Sequence, residues 1–389
     1  MRLVGDHERR ARLARRQHLA PGWRGDDVAV VAGDIGGLHA SDPATVLLAA
    51  RARLRDATPQ AIEHALYDER SLVRLLGMRR TMFVAPVDLA AVVQASSTRA
   101  LIPRERRIAV TLLESSNVTD DGERWLAAAQ EATLRALAAR GAARGSELSR
   151  DVPALREKVT RFGATQAMTT RVLFLLAAEG RIVRGRPQGS WTSSLWHWAT
   201  MESWLAGGLP ELDSEEAATE LVRRWLHAFG PGTFADLKWW TGWTAGPLRR
   251  ALAAVGTVEV VLEEGSTGLL LAGDEEPVPA VPEPWVALLP ALDPAPMGWQ
   301  ERGWYLGGHR ERLFDRSGNI GPTVWSDGRI VGGWAQRKDG EIALALLEDP
   351  GAGAAAAIAA EAQRLREWIG DVRVTPRFRT PLERELCEG

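Results

Sequence analysis

Two side chains able to handle a proton and a water lie two residues apart in a short linker. His39 and Ser41 follow a pair of glycines and directly precede Asp42 and Pro43. Proline suits the first turn of a helix, and serine or aspartate can cap it, so a helix is predicted to begin at Pro43. The linker therefore holds an imidazole and a hydroxyl at a helix N-terminus, where the helix dipole is positive.

Five arginines are candidates for holding phosphate groups around this linker. Two lie on the helix that follows it and three lie on a later predicted strand and turn; they are Arg51, Arg53, Arg181, Arg184 and Arg186. Guanidinium contacts to phosphate give position and affinity but read no sequence. The arginines make the linker a candidate site for a polyanionic substrate.

Charge is distributed unevenly along the 389 residues. Residues 1–110 carry a net charge of +6, residues 111–200 of +3 and residues 201–389 of −11, which the overall charge of −2 hides. Because 45 of the 48 basic residues are arginine in a chain rich in alanine and glycine, coding bias accounts for much of the arginine content. The asymmetry is more informative, and it predicts that a polyanion would favour the first half of the chain.

Several common classes of protein are excluded by what the sequence lacks. The single cysteine, Cys387, excludes internal disulfides, and together with the absence of a long apolar run it predicts a cytoplasmic protein without a membrane span. Metal-binding histidine or cysteine spacings are missing, as are glycine-rich nucleotide loops and the hydrolase nucleophile turn. We therefore expect neither a metal nor an organic cofactor.

The sixteen tryptophans cluster in two places. One cluster contains Trp191, Trp196, Trp198 and Trp204, and the other follows residue 238. Tryptophan rings can stack on exposed bases, but they more often pack in cores and between domains. Packing is the favoured interpretation for both clusters.

The order of predicted elements repeats three times, over residues 1–110, 111–205 and 206–276. Each unit has helices followed by two strands around a turn, which is the order of a winged helix. In the second unit, a helix over Thr165–Glu179 is expected to precede strands at Arg181–Arg184 and Trp191–Thr192. A repeated supersecondary unit predicts a tandem array.

The composition changes after Gly273, where an acidic, proline-rich segment begins. Beyond it, short apolar strands separated by Ser-Asp-Gly and Lys-Asp-Gly turns predict antiparallel hairpins, and a helix over Ala354–Ile369 precedes a final strand at Arg373–Pro376. The predicted fold class is α+β, with three tandem winged-helix domains followed by a small antiparallel β domain with a terminal helix over residues 277–389.

Three groups of motifs together resemble a known family. They are Gly37–Pro43 with Leu47–Leu54, Leu288–Pro294 with Met297–Trp299 and Arg302, and Gly321–Val324 with Asp327–Trp334. They look like the AlkZ/YcaQ-like family of bacterial winged-helix DNA glycosylases. The resemblance spans most of the chain and agrees with the predicted order of domains.

The chain departs from the family pattern at the linker. The family has Gln-x-Gln or Gln-x-Asp before this helix start, whereas His39 and Ser41 stand at those two positions here. The departure is consistent with a subfamily of altered substrate range or with a loss of activity. We favour the subfamily, because both replacements can still hydrogen-bond a water.

The resemblance implies a monofunctional DNA glycosylase that hydrolyses the N-glycosidic bond of alkylated purines. N7 adducts and interstrand crosslinks are included, in base excision repair or in self-resistance to a toxin. Neutral His39 is expected to accept a proton from the attacking water, and Ser41 to hold that water or orient His39. Asp42 is expected either to offset the developing positive charge or to cap the helix. The implied partner is double-stranded DNA carrying alkylated bases, bound by a monomer.

Two other functions remain open from the sequence. A non-catalytic winged-helix DNA-binding protein, such as a transcriptional regulator, would need Arg, Asn or Gln on an exposed recognition face. The helix Pro43–Leu54 is mostly Ala and Leu apart from its arginines, which argues against base reading. An interaction scaffold without DNA affinity would be compatible with the acidic second half. Binding to random and specific duplexes separates the three classes.

Overall fold

The computed structural model describes residues 1–388 and is a mixed α+β chain in which helices pack on small sheets. The first part of the chain contains, in order, β1 (Leu3–Val4), α1 (Asp6–Arg16), α2 (Val28–Asp34), β2 (Leu38–His39), α3 (Pro43–Arg51), α4 (Pro59–Tyr67), β3 (Leu72–Leu76), β4 (Met82–Pro86), α5 (Val87–Val93) and α6 (Ile102–Ser115). The hairpin β3–β4 forms as predicted. Strand β2 pairs antiparallel with β4, so the linker joins a three-stranded sheet.

The second part of the chain differs from the sequence-based expectation in two places. It contains α7 (Gly122–Arg140), α8 (Gly145–Asp151), β5 (Lys158–Arg161), β6 (Ala164–Ala167), α9 (Thr169–Ala178), β7 (Ile182–Pro187), β8 (Trp196–Thr200) and α10 (Met201–Trp204). The helix predicted from Thr165 begins only at Thr169, because residues 164–167 pair with β5. The strand that returns to β7 is Trp196–Thr200 and not Trp191–Thr192, since Ile182 pairs with Thr200.

The third part contains three helices and a hairpin, in the predicted order. They are α11 (Ser214–Phe229), α12 (Phe234–Thr241), α13 (Ala245–Val255), β9 (Thr257–Leu262) and β10 (Thr267–Leu271). The N-terminal residues pack here rather than with the rest of residues 1–110. Strand β1 pairs parallel with β9, and Arg12 and Arg16 of α1 form ion pairs with Asp274 at 3.0 and 2.6 Å.

The last part, up to residue 388, contains the predicted antiparallel sheet and four helices. Its elements are β11 (Val286–Leu289), α14 (Gly303–Leu306), α15 (Arg310–Leu313), β12 (Thr323–Ser326), β13 (Arg329–Gln336), β14 (Ile342–Leu346), α16 (Ala352–Ile369) and α17 (Pro381–Glu388). The four strands pair in sequence order. Residues 373–376 form no strand, in contrast to the expectation, and α17 was not anticipated.

Two arginines expected at a DNA surface are instead part of the interior. Arg53 and Asp293 are both completely buried and form a two-pronged ion pair with N–O distances of 2.8 and 2.7 Å. Arg51 pairs with Glu361 of α16. Arg51 and Arg53 were predicted to contact DNA; in the structure both guanidinium groups instead bind carboxylates that fasten α3 to the C-terminal part of the chain.

No helix within residues 1–388 is both long enough and apolar enough to cross a lipid bilayer.

Replacing Arg53 with methionine tests the buried ion pair. Because Asp293 would be left as an uncompensated buried charge, Arg53→Met is expected to lower the free energy of unfolding by about 3–5 kcal/mol. Arg55→Met is the matched control, since Arg55 pairs with Asp26 in solvent, and it should leave the free energy of unfolding nearly unchanged. Denaturant unfolding measures both, and equal losses would contradict the buried pair.

Candidate functional site

The linker that carries the predicted catalytic residues turns sharply and then joins a sheet. Gly36 and Gly37 have φ values of 74° and 97°, a region that favours glycine. Ala40 then donates its N–H to the Met82 carbonyl oxygen at 2.7 Å, which extends the pairing of β2 with β4. Helix α3 begins at Pro43, as predicted. The linker is thus held on both sides, by the sheet and by the helix.

His39 lies inside the protein and not in an open site. It is 4% exposed, contacts the Phe83 ring edge-on with 5.4 Å between centroids, and lines a small enclosed cavity with Arg79 and Trp240. Burial, with a smaller effect from the charge of Arg79, lowers the pKa of His39 to about 3. An imidazole with so low a pKa is a poor proton acceptor at neutral pH. The geometry therefore does not give His39 the role of water-activating base.

Ser41 lines a different space, a large cleft. Its Oγ accepts a hydrogen bond from the Met82 N–H at 3.2 Å, so its own hydroxyl proton remains free to be donated. The only contact between the predicted partners is a long one, 3.5 Å from the Ser41 backbone nitrogen to Nδ1 of His39. The structure does not bring the two side chains together around one water.

Asp42 caps the helix, which is one of its two expected roles. Its Oδ1 accepts the Ala44 N–H at 3.0 Å and its Oδ2 accepts the Arg377 N–H at 2.8 Å. The side chain is buried, and burial raises the pKa of its carboxyl group above the ordinary value. Because both oxygens already bind backbone donors, Asp42 is a positioning residue for the linker and for the segment around Arg377.

The cleft beside Ser41 is strongly cationic. It has a volume of about 820 Å³ and lies between the first and second parts of the chain. Within the part of the chain that the structure describes, no aspartate or glutamate lines it, whereas five arginines do: Arg74, Arg80, Arg144, Arg184 and Arg377. A cleft with positive charge on several walls and no internal counter-charge is suited to an anionic ligand.

Three of these arginines have no carboxylate partner among residues 1–388. Arg80 pairs with Glu105 and Arg144 with Glu147, but Arg74, Arg184 and Arg377 form no salt bridge. Burial, together with repulsion from Arg74 and Arg377, lowers the pKa of Arg184 to about 10. The fold therefore supplies none of these three guanidinium groups with a carboxylate to offset its positive charge.

Tryptophan rings and backbone carbonyl groups hold these arginines in place. The Arg74 guanidinium lies 4.2 Å from the Trp196 ring centroid and donates to the Ala40 carbonyl oxygen at 3.2 Å. Arg184 lies 5.1 Å from the centroid of Trp198. Such cation–π contacts orient a guanidinium without neutralising it.

Of the five arginines predicted to bind phosphate, only Arg184 lines the cleft. Arg181 pairs with Glu131 at 2.7 Å and Arg186 pairs with Asp68 at 3.0 Å. Both lie on the surface, but their charge is partly neutralised by these partners. The sequence could not distinguish them from Arg184, because the partners come from distant parts of the chain.

Sequence reasoning did not single out four of the five arginines that line the cleft: Arg74, Arg80, Arg144 and Arg377. It did single out Trp196 and Trp198, which also line the cleft, but it favoured packing over base stacking for both. Nothing local pointed to Arg377, which lies more than 300 residues from the linker that it contacts.

Comparison with known proteins agrees with this architecture. The family described as "DNA glycosylase AlkZ-like" matches residues 32–368. The chain belongs to the AlkZ-like DNA glycosylase family. The solved structure of Streptomyces sahachiroi DNA glycosylase AlkZ has the same fold, with a TM-score of 0.71 and 21% sequence identity over 93% of this chain and 98% of that one. No curated protein sequence matches the chain.

In this AlkZ-like protein, the histidine and the serine of the linker have different environments. His39 faces a closed interior and Ser41 faces the cationic cleft. Among residues 1–388, no group of three or more His, Cys, Asp and Glu side chains is placed to hold a metal ion. The polar side chains that line the cleft carry mainly hydroxyl and guanidinium groups.

His39→Gln tests the burial of the imidazole through pH. The unfolded side chain titrates near 6.5 and the folded one near 3, so only the unfolded chain takes up this proton as the pH falls between those values. The pKa shift of this histidine therefore has no effect on the free energy of unfolding above pH 6.5. Below that pH it lowers the free energy of unfolding by up to about 1.4 kcal/mol per pH unit.

Urea unfolding of wild type and His39→Gln at about pH 7.5 and about pH 5 measures this effect. We expect the wild type to lose more stability than the variant on acidification. Parallel losses in the two proteins would mean that His39 is protonated in the folded state.

Proposed function

We propose that this AlkZ-like chain is a DNA glycosylase that releases N7-alkylated purines, and that the reaction takes place in the cleft beside Ser41. The observation that carries the proposal is the cleft itself, in which arginines without carboxylate partners surround the linker that resembles the family motif. A polyanion with a reactive centre near its backbone is the ligand that fits this arrangement, and alkylated DNA is such a polyanion.

The distribution of charge suggests how the transition state is stabilised. Cleavage of an N-glycosidic bond builds positive charge on the sugar, and preorganised negative charge usually provides the largest stabilisation in such a step. Since no carboxylate among residues 1–388 lines the cleft, the negative charge must come from the substrate. We infer that Arg74, Arg184 and Arg377 hold the phosphates that flank the modified nucleotide, and that these phosphates offset the developing charge.

Ser41 is the group we assign to the attacking water. Its hydroxyl proton is free to be donated, and its Oγ is fixed by the Met82 N–H. An N7-alkylated purine is already cationic and leaves as a neutral base, so strong acid or base catalysis is not required. A hydroxyl that orients a water is sufficient help for such a leaving group: the water oxygen bonds to the sugar carbon as the bond to the purine breaks, the electron pair of that bond leaves with the neutral base, and the water's proton passes to solvent. A weakly basic, buried His39 is therefore compatible with activity.

The proposal includes a monofunctional reaction without strand cleavage by the enzyme. Glycosylases that form a Schiff base need an amine nucleophile. The chain has three lysines, Lys158, Lys238 and Lys338, and none of them lines the cleft. Water is therefore the nucleophile that the cleft supports.

The three helix–hairpin units are proposed to act as winged helices that grip the duplex without reading its sequence. The side chains of α9 that line the cleft are Thr169, Thr170, Leu173, Phe174 and Ala177. They include no Arg, Asn or Gln for the base contacts of a regulator. A lesion enzyme needs position and affinity rather than sequence reading, so α9 favours repair over regulation.

The size of the cleft supports substrates larger than a methylated base. Its volume of about 820 Å³ lies in the range of pockets that hold drug-sized ligands. We therefore extend the proposal to bulky adducts and interstrand crosslinks, in base excision repair or in resistance to an alkylating toxin.

Excision from a duplex with a single N7-methylguanine tests the activity, with alkaline cleavage of the abasic site as the readout. Wild type should release the base, and Ser41→Ala should slow single-turnover excision by about 100-fold, because one positioned hydrogen-bonding group is lost. Ser317→Ala, at an exposed serine outside the cleft, is the control and should be fully active. Wild-type protein that releases no alkylated purine would refute the glycosylase; a fully active Ser41→Ala would refute the role of Ser41.

The dependence of duplex binding on salt tests the unpaired arginines. Arg184→Gln should weaken binding and reduce the slope of log affinity against log salt concentration by about 1, as expected for one phosphate contact. Arg186→Gln is the matched control, two residues along the same strand but paired with Asp68, and should leave the slope nearly unchanged. Equal slopes for both variants would mean that Arg184 is not a phosphate contact.

A further inference from the structure

The hairpin formed by β5 and β6 has no role in the proposed chemistry, although the helix that follows it lines the cleft. It connects α8 to α9, and its second strand ends at Ala167, two residues before Thr169 on the cleft wall. Four residues per strand, at about 3.3 Å each, place its tip roughly 13 Å from its base. The hairpin therefore leads directly into the helix end that lines the cleft.

The residue at the tip is unusual for its position. Phe162 is 94% exposed and has a φ of 50°, and Gly163 follows it with a φ of 77°. Two-residue turns of this kind favour asparagine or aspartate before glycine, because their short polar side chains can hydrogen-bond locally in the left-handed conformation. An aromatic side chain cannot form such a hydrogen bond. Neither the turn conformation nor packing in the core explains a phenylalanine at this position, since its ring is exposed and its backbone conformation is unfavourable for it.

The hairpin and its base are also cationic. Residues 158–167 contain Lys158 and Arg161 and no acidic residue, and Arg171 follows at the start of α9. None of these three forms a salt bridge within the part of the chain that the structure describes, and the Arg161 guanidinium lies 5.0 Å from the Phe162 ring centroid. An exposed aromatic ring between unpaired positive charges matches a nucleic acid, which offers stacked rings between phosphates.

We propose that Phe162 is a wedge that enters a groove of duplex DNA and separates two stacked base pairs, while Lys158 and Arg161 contact the flanking phosphates. The proposal rests on duplex DNA being the substrate of the cleft. Apolar side chains inserted between base steps unstack and kink the duplex. Unstacking next to the modified purine would open the sugar to the water beside Ser41.

The fluorescence of 2-aminopurine, which rises when the base is unstacked, tests the wedge in an undamaged duplex that carries one such base. Full-length wild type should increase the signal several-fold at saturation. Phe162→Ala should bind about tenfold more weakly, as expected for one lost stacking contact, and should give no increase when saturated. Phe162→Leu should keep much of the signal, because leucine is also an effective wedge.

Val30→Ala is the matched control, because Val30 is another exposed apolar side chain and lies outside the cleft. It should behave as wild type in binding and in fluorescence. A saturated Phe162→Ala complex with the wild-type signal would overturn the wedge, as would a wild-type complex with no signal.

Excision of N7-methylguanine, measured in parallel, separates this proposal from the proposed function. Excision with a signal that does not depend on Phe162 removes the wedge alone. Absence of excision together with a signal that requires Phe162 removes the glycosylase and supports the wedge.

Discussion

The two hydrogen bonds accepted by the Asp42 carboxylate are the constraint on which the site depends. One oxygen caps α3 at Ala44, and the other takes the N–H of Arg377, which comes from the far end of the chain. The Asp42 side chain is buried, where an unpaired polar group would be costly. They fix the linker so that Ser41 faces the cleft, and they bring Arg377 to the same wall.

Four arginines of this AlkZ-like protein fall into two groups according to the side chains that they contact. Arg53 meets Asp293 in the interior and Arg51 meets Glu361, so their charges are used to hold α3 against the C-terminal part of the chain. Arg74 and Arg184 meet tryptophan rings, which orient them and leave the charge available. The difference lies in the partners, and it separates structural arginines from those that can bind an anion.

Local signals predicted much of the fold. The helix start at Pro43, the hairpin β3–β4 and the four-stranded C-terminal sheet all follow from capping residues, turns and apolar patterns that lie within a few residues. The hairpin at residues 158–167 was missed because its strands are short and mostly exposed, so they carry no apolar alternation. Strand β8 was misplaced because the loop before it is long and contains a tryptophan of its own.

By itself, the sequence determined the family resemblance, the order of helices and hairpins and the linker as the segment to examine, since each of these depends on short-range residue patterns. Only the tertiary structure decided that His39 is buried while Ser41 is open to a cleft, and that Arg53 is paired with a buried carboxylate while Arg184 lines the cleft without one. Burial and charge compensation depend on which distant groups arrive next to a side chain. Residues such as Asp293 and Arg377 are brought there by the fold, and no spacing along the chain encodes their arrival.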